Sequence, residues 1–143
     1  MGKQAEMKIA LDTNILIYFL EGIEPQASKA EKILNRFMKA EDEGIISTVT
    51  VAEVLTGFYK TGPQGNVEKI KSLLNDLTLN NFKIVPVTFE IADLAAKLRA
   101  QRGGRLPDAL IVATALNQLA EILYTEDKDF QRFSREITIT QLP

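Results

Sequence analysis

The sequence predicts one α/β domain, a three-layer α/β/α arrangement around a central, mostly parallel five-stranded sheet. Three observations carry that expectation. Short apolar runs of strand length alternate with segments whose apolar residues recur at helical spacing, the pattern of strand–helix–strand units. The stretch from Ala109 to Leu119 is apolar on almost every side, as a helix buried between a sheet and its neighbours must be. The 143 residues, 45% of them apolar, make the size and composition of one ordinary globular domain. Neither repeats, low-complexity tracts nor linker-like composition divide the chain. Residues 7–143 are therefore read as a single domain and residues 1–6 as an N-terminal extension, with Met7 as a second potential start.

Each element has a local reason. Lys8 to Leu11 reads as a strand running into Asp12-Thr13-Asn14, after which Ile15, Leu16, Phe19 and Leu20 keep helical spacing up to Gly22. Ala27, Ala30, Ile33, Leu34, Phe37 and Met38 mark one face of a second helix. Gly44 to Ser47 is a short strand, and Val51, Val54, Leu55, Phe58 and Tyr59 form a helical stripe stopped by Gly62-Pro63. Asn66 to Leu77 is amphipathic, and Phe82 to Val87 is a strand. Ile91, Leu94, Ala95 and Leu98 line a helix ending before Gly103-Gly104, and Pro107 stands where a first helical residue belongs. Ile122 to Tyr124 is a strand, Asp127 to Phe133 a short helix, and Ile137 to Thr140 a last strand.

Composition restricts the chemistry. With no Cys and no His, the chain cannot build thiolate or imidazole zinc sites, disulfides, or a nucleophile activated by histidine. Carboxylates remain, and they act on phosphate esters when a hard cation supplies positive charge. The formal charge of −2 gives no global pull toward nucleic acid. No apolar run approaches the ~18 to 20 residues of a membrane span, and the first six residues lack a signal-peptide core, so a cytoplasmic location is expected.

Four acids stand where strands hand over to helices. Asp12 follows the first strand, Glu53 lies in the first turn expected after Ile45-Ile46-Ser47, Asp108 opens the buried helix, and Asp127 follows the fourth strand. Taken singly, each has a structural explanation: Asp12 and Asp127 suit helix N-caps, Thr50-Val51-Ala52-Glu53 fits a capping box, and Asp108 beside Pro107 suits a first-turn acid facing the helix dipole. Together they suggest more, because the strand ends of a parallel sheet share one edge, where ligands bind. Two carboxylates ~4 Å apart repel by roughly 4 kcal/mol at an effective dielectric near 20, so converging acids call for a cation. All-oxygen ligands select Mg²⁺ or Mn²⁺ over zinc, and a water acidified by such an ion is a nucleophile for in-line attack on phosphorus.

The strings Ile9-Ala10-Leu11-Asp12-Thr13-Asn14, Thr50-Val51-Ala52-Glu53-Val54, Leu106 to Ala115 (LPDALIVATA) and Thr125-Glu126-Asp127-Lys128-Asp129-Phe130 resemble the successive motifs of PIN-domain ribonucleases, most closely the VapC-like toxins of prokaryotic toxin–antitoxin pairs. Their order and spacing match from Met7 onward. The resemblance implies a sheet in the order 3-2-1-4-5, a Mg²⁺- or Mn²⁺-dependent endoribonuclease acting on single-stranded RNA, a homodimer, and an antitoxin whose segment occupies the cleft. Asp12, Glu53, Asp108 and Asp127 fall on the family's acidic quartet, and Asn14 and Thr125 on its supporting polar positions. Asp129 competes with Asp127 for the last acidic place. Asp127 is preferred as nearer the strand end and matching the family's Thr-x-Asp spacing, which leaves Asp129 as a surface acid.

Lys97, Arg99, Arg102 and Arg105 precede Asp108. They suit either RNA phosphates or, for the first three, complementation of a helix C-terminus closed by Gly103; Arg105 escapes the second explanation. The apolar residues from Ile15 to Leu20 suit a dimer or antitoxin interface, although plain core is the commoner role of such a stripe. The rival functional class is a PIN-like module that binds RNA or protein without cutting, which a lost acid would signal; none is lost. A phosphoaspartyl phosphatase would need a second Asp where Asn14 stands. A receiver-type domain would need an adjacent acid pair that Leu11-Asp12 does not supply.

Overall fold

The computed structural model describes residues 6–143; residues 1–5, most of the expected N-terminal extension, lie outside the described residues. Glu6 pairs with the body of the protein, its N–H donating to Glu41 O (2.7 Å) and its carboxylate lying 3.2 Å from Arg36. β1 (Lys8–Leu11) leads into α1 (Thr13–Glu21) and α2 (Gln26–Met38), and β2 (Glu43–Ser47) into α3 (Thr48–Thr61) and α4 (Gln64–Thr78). Next, β3 (Phe82–Val85) leads into α5 (Phe89–Arg102) and α6 (Leu106–Asn117), β4 (Ile122–Tyr124) into a 3-10 helix over Lys128–Phe133, and β5 (Thr138–Thr140) follows. The five strands form one sheet in the order β3-β2-β1-β4-β5, and every pairing is parallel.

The period-2 alternation of the strands sorts side chains between two cores. Ala10, Ile45 and Leu123 face a cluster built with Ile91, Ala95, Ala109, Val112 and Phe133 from α5, α6 and the 3-10 helix. Ile9, Leu11 and Ile46 face the other, with Ile15, Leu16, Leu34, Phe37, Val54 and Leu74 from α1 to α4. Residues 109 and 111–115 of α6 are all buried, which explains why that helix has no polar stripe.

Element ends depart from expectation for identifiable reasons. β3 stops at Val85, because Pro86 has no N–H to give the ladder. α3 begins at Thr48, capped by Ser47, whose hydroxyl accepts from Val49 N (3.0 Å). The capping box over Thr50 and Glu53 is therefore not formed, and Glu53 lies in the second turn of α3 rather than the first. α6 starts one residue before Pro107. α1 closes on Gly22 in the left-handed region (φ 68°). Among the described residues no helix is long and apolar enough to cross a membrane.

Gly44 sets how closely α2 approaches the sheet. A Cβ there would lie 2.5 Å from Phe37 and 2.6 Å from Phe82, whose rings pack 5.9 Å apart beside it. Gly44→Ala is therefore expected to lower the unfolding free energy by about 1–3 kcal/mol, measured by urea denaturation, because both neighbours are rings buried in a filled core.

Candidate active site

The strand order determines where a site can form. The chain builds outward from β1 through β2 to β3, then returns to place β4 on β1's other side, so the crevice between β1 and β4 at their carboxyl ends is a topological switch point. Asp12 leaves β1 there, and Thr125 and Asp127 leave β4 there. Asp12 N donates to Tyr124 O (3.0 Å), which locks the two strand ends together.

Asp12 is 5% exposed. One carboxylate oxygen accepts from Thr13 N (2.7 Å), capping α1, and the other accepts from the Thr125 hydroxyl (2.7 Å). Thr125 Oγ1 in turn accepts from Asp127 N (3.0 Å), so one buried hydroxyl bonds the Asp12 carboxylate and the Asp127 backbone. Thr13 serves the other side. Its hydroxyl donates to Glu53 Oε1 (2.6 Å) while its oxygen lies 3.3 Å from Thr50 Oγ1, and a single proton favours the charged, shorter contact. Thr13 and Thr50 were not singled out by sequence reasoning. The signal available was a Thr directly after a candidate acid and a Thr three residues before another, both compatible with ordinary capping.

The acids sense one another. The Asp12 pKa is raised from 3.8 to about 6, chiefly by burial, with the charges of Asp108 and Glu53 adding to the rise; the Thr125 and Thr13 hydrogen bonds oppose it. Asp108, in the first turn of α6, is also pushed up by burial and by the charges of Asp127, Glu53 and Asp129, against the pull of Arg105. Asp127 is the less exposed of the final pair and acts more strongly on Asp108 than Asp129 does. It caps the 3-10 helix, its Oδ1 accepting from Asp129 N (2.9 Å). The amide oxygen of Asn14, two residues beyond Asp12, is buried with no hydrogen-bond partner.

Three of the four cations ahead of Asp108 are engaged by other groups of the chain. Lys97 pairs with Asp93 (3.1 Å), Arg99 Nε donates to Gly104 O (3.1 Å), and Arg102 donates twice to Glu136 Oε1 (3.0 and 2.8 Å). Arg105 is exposed and forms no ion pair among the described residues. Along α1, Ile15 and Leu16 are core, whereas Ile17 to Leu20 are half-buried.

A five-stranded all-parallel sheet flanked by helices, with interacting acids at its carboxyl edge, defines a three-layer α/β protein. The model of the PIN domain matches residues 9–136, and the chain belongs to that family. Among solved structures, a toxin–antitoxin complex from Klebsiella pneumoniae is similar over 94% of this chain and 98% of that one, at 27% identity and a TM-score of 0.72. VapBC2 from Rickettsia felis, bound to a DNA fragment from its promoter, shares the fold over 96% of this chain and all (100%) of that one, at 21% identity and a TM-score of 0.72. So does VapC20 from Mycobacterium tuberculosis, a sarcin-ricin loop cleaving toxin, over 86% and 92% of the two chains, at 17% identity and a TM-score of 0.64. No curated protein matches.

An acid whose pKa is higher in the folded than in the unfolded chain takes up protons on folding. For Asp12 this happens between pH 3.8 and about 6, so stability falls as pH rises through that window, and a cost on the order of 3 kcal/mol is carried above it. In EDTA, Asp12→Asn should match wild type near pH 4 and become progressively more stable than it toward pH 7. Chemical denaturation across that range checks this, and a difference independent of pH would contradict it.

Proposed function

We propose that this protein is a divalent-metal-dependent endoribonuclease that cuts single-stranded RNA, the toxin of a toxin–antitoxin pair. The observation that carries the reading is the set Asp12, Glu53, Asp108 and Asp127, gathered at the sheet's switch point with no side-chain cation paired to Asp12 and only Arg105 offsetting Asp108. Among the described residues no group of three or more acids is placed so as to hold a metal ion by itself. Mg²⁺ does not need one, since it binds through one or two carboxylates and keeps several waters. The donor set is all oxygen, and the orphaned Asn14 Oδ1 is the kind of acceptor that such a water satisfies. The donor chemistry therefore suits Mg²⁺ or Mn²⁺ held by one or two of Asp12, Glu53, Asp108 and Asp127, with water completing the shell.

The ion would supply positive charge to the phosphate and an acidified water. This chain's residues do the remainder. Thr13 and Thr125 hold the Glu53 and Asp12 carboxylates in fixed orientations, and Thr125 also anchors the Asp127 backbone N–H, so little reorganisation accompanies the reaction. With its pKa raised, Asp108 is suited to exchange a proton with the attacking water or the leaving oxygen. Arg105 contacts an RNA phosphate beside Asp108. The toxin–antitoxin complexes that share this fold support a cognate antitoxin as partner, and a homodimer as the working unit accords with the resemblance.

Purified protein should cleave single-stranded RNA with Mg²⁺ or Mn²⁺ and stop on chelation; cleavage undiminished in excess EDTA would sink the metal mechanism, and RNA binding without cleavage under any divalent ion would favour the non-catalytic module. Thr13→Val, which leaves the charges in place and removes only the hydroxyl that aims Glu53, should cost about 10–100-fold in cleavage rate with a smaller metal-induced rise in melting temperature. A Thr13→Val enzyme with wild-type rate and metal response would show that Glu53 needs no such support.

A further inference from the structure

A cavity of about 340 Å³ adjoins the acidic cleft on its Asp127 side. It shares Thr125 and Asp127 with the cleft, opens to solvent, and is lined further by Lys128 and Gln131 of the 3-10 helix and by Ile139 and Gln141 around β5. None of these last four residues has a part in the site as described. Leu142, buried just past Gln141, donates its N–H to Glu126 Oε2 (3.1 Å), so the far wall is anchored and the acid in it is already engaged. Lys128 is exposed and forms no ion pair among the described residues. Gln131 makes one long hydrogen bond, from Nε2 to Ile139 O (3.4 Å), and Gln141 makes none from its side chain among the described residues.

We propose that this cavity is a nucleotide subsite, taking the nucleotide next to the scissile bond on the Asp127 side and setting the enzyme's base preference. The inference rests on the ribonuclease reading and adds to it the residues that recognise the substrate. A nuclease whose centre is acidic repels its own substrate, so the strand must be held by cations flanking that centre. Arg105 stands on the Asp108 side and Lys128 on the Asp127 side, one free cation at each. The cavity lining is mostly polar, with Ile139 its one apolar residue, and Gln131 and Gln141 bring two carboxamides to it. Each carboxamide carries a donor and an acceptor, the pairing needed to read the Watson–Crick edge of an unstacked base. Lys128 contributes attraction to the phosphate without sequence information, whereas Gln131 and Gln141 contribute the reading.

The test compares wild type, Lys128→Ala, Gln131→Ala and Gln141→Ala on a randomised single-stranded RNA with Mn²⁺, mapping cut ends by sequencing and measuring KM against salt. Thermal melts confirm that each variant, altered at an exposed position, is folded. The glutamine variants should lose or change base preference at one nucleotide adjacent to the cut and leave the other positions as in wild type. Lys128→Ala should raise KM and reduce the slope of log KM against log salt by about 0.7, the release expected for one contact to a single strand. Arg105→Ala should reduce the slope similarly and keep the base preference. Wild-type preference and slope in all three cavity variants would overturn the subsite and leave the ribonuclease intact. A wild type that cuts no RNA under any divalent ion would overturn the ribonuclease itself, and the subsite with it.

Discussion

The rest of the site depends on one carboxylate, Asp12, held out of water at the end of the central strand. Both its oxygens are occupied by neutral donors, Thr13 N and the Thr125 hydroxyl, and these enforce its orientation without neutralising its charge. The relay continues outward from the same two threonines to Glu53 and to Asp127. Two carboxylates, Asp12 and Glu53, are thus aimed by two side chains that carry no charge, and the backbone of a third acid, Asp127, is anchored by one of them. Neutral support keeps the local potential negative, which a site for a divalent ion requires, whereas an arginine in either place would have satisfied the acid and closed the site.

Parallel topology makes this economical. Because all five strands run the same way, each strand-to-helix junction falls on the same edge, and the reversal of strand order between β1 and β4 opens a crevice there. Asp108 arrives by another route. It enters from the first turn of α6, a helix so buried that its only wet surface is near its ends, which is why one acid there stands apart from any solvent-facing stripe. Arg132 steadies that approach, donating to Asp129 O (3.0 Å) and Arg102 O (3.3 Å) across a backbone where Gly104 leaves no room for a side chain.

Much of this was legible in the sequence because hydrophobic periodicity and acid position are local signals. The strands of residues 8–11, 44–47 and 122–124 and the all-apolar helix follow from spacing alone, and family resemblance adds the strand order. Contacts between distant residues were not legible. Ser47 outcompetes Thr50 as the α3 cap because Ser47 sits at the strand end with its hydroxyl 3.0 Å from Val49 N, and this frees Thr50 and Glu53 to face Thr13. Arg102 read as a helix-end cation and does lie there, yet its partner is Glu136, 34 residues away. Gly44 read as a strand start, and only the approach of Phe37 explains why that position has no side chain.

Two buried aspartates in the same chain show how environment separates an acid met by a cation of its own chain from one that is not. Asp42, 3% exposed at the amino edge of the sheet, accepts from Met7 N (3.0 Å) and from the Arg36 guanidinium (2.6 Å), and that guanidinium is flanked by Glu41 and Glu6. Its charge is met by a cation from its own chain, so it ties α2 to the start of β2 and asks for nothing more. Asp12, buried to a similar degree at the opposite edge, has two neutral donors and two acidic neighbours. Left alone, it lowers its cost by taking a proton as pH falls through about 6, well above the ordinary carboxylate range. Positive charge brought from outside removes the same penalty without a proton. The fold therefore carries at its carboxyl edge an electrostatic debt that its amino edge has discharged, and this asymmetry is what the proposed cation site adds to the helix-capping roles of Asp12 and Asp127.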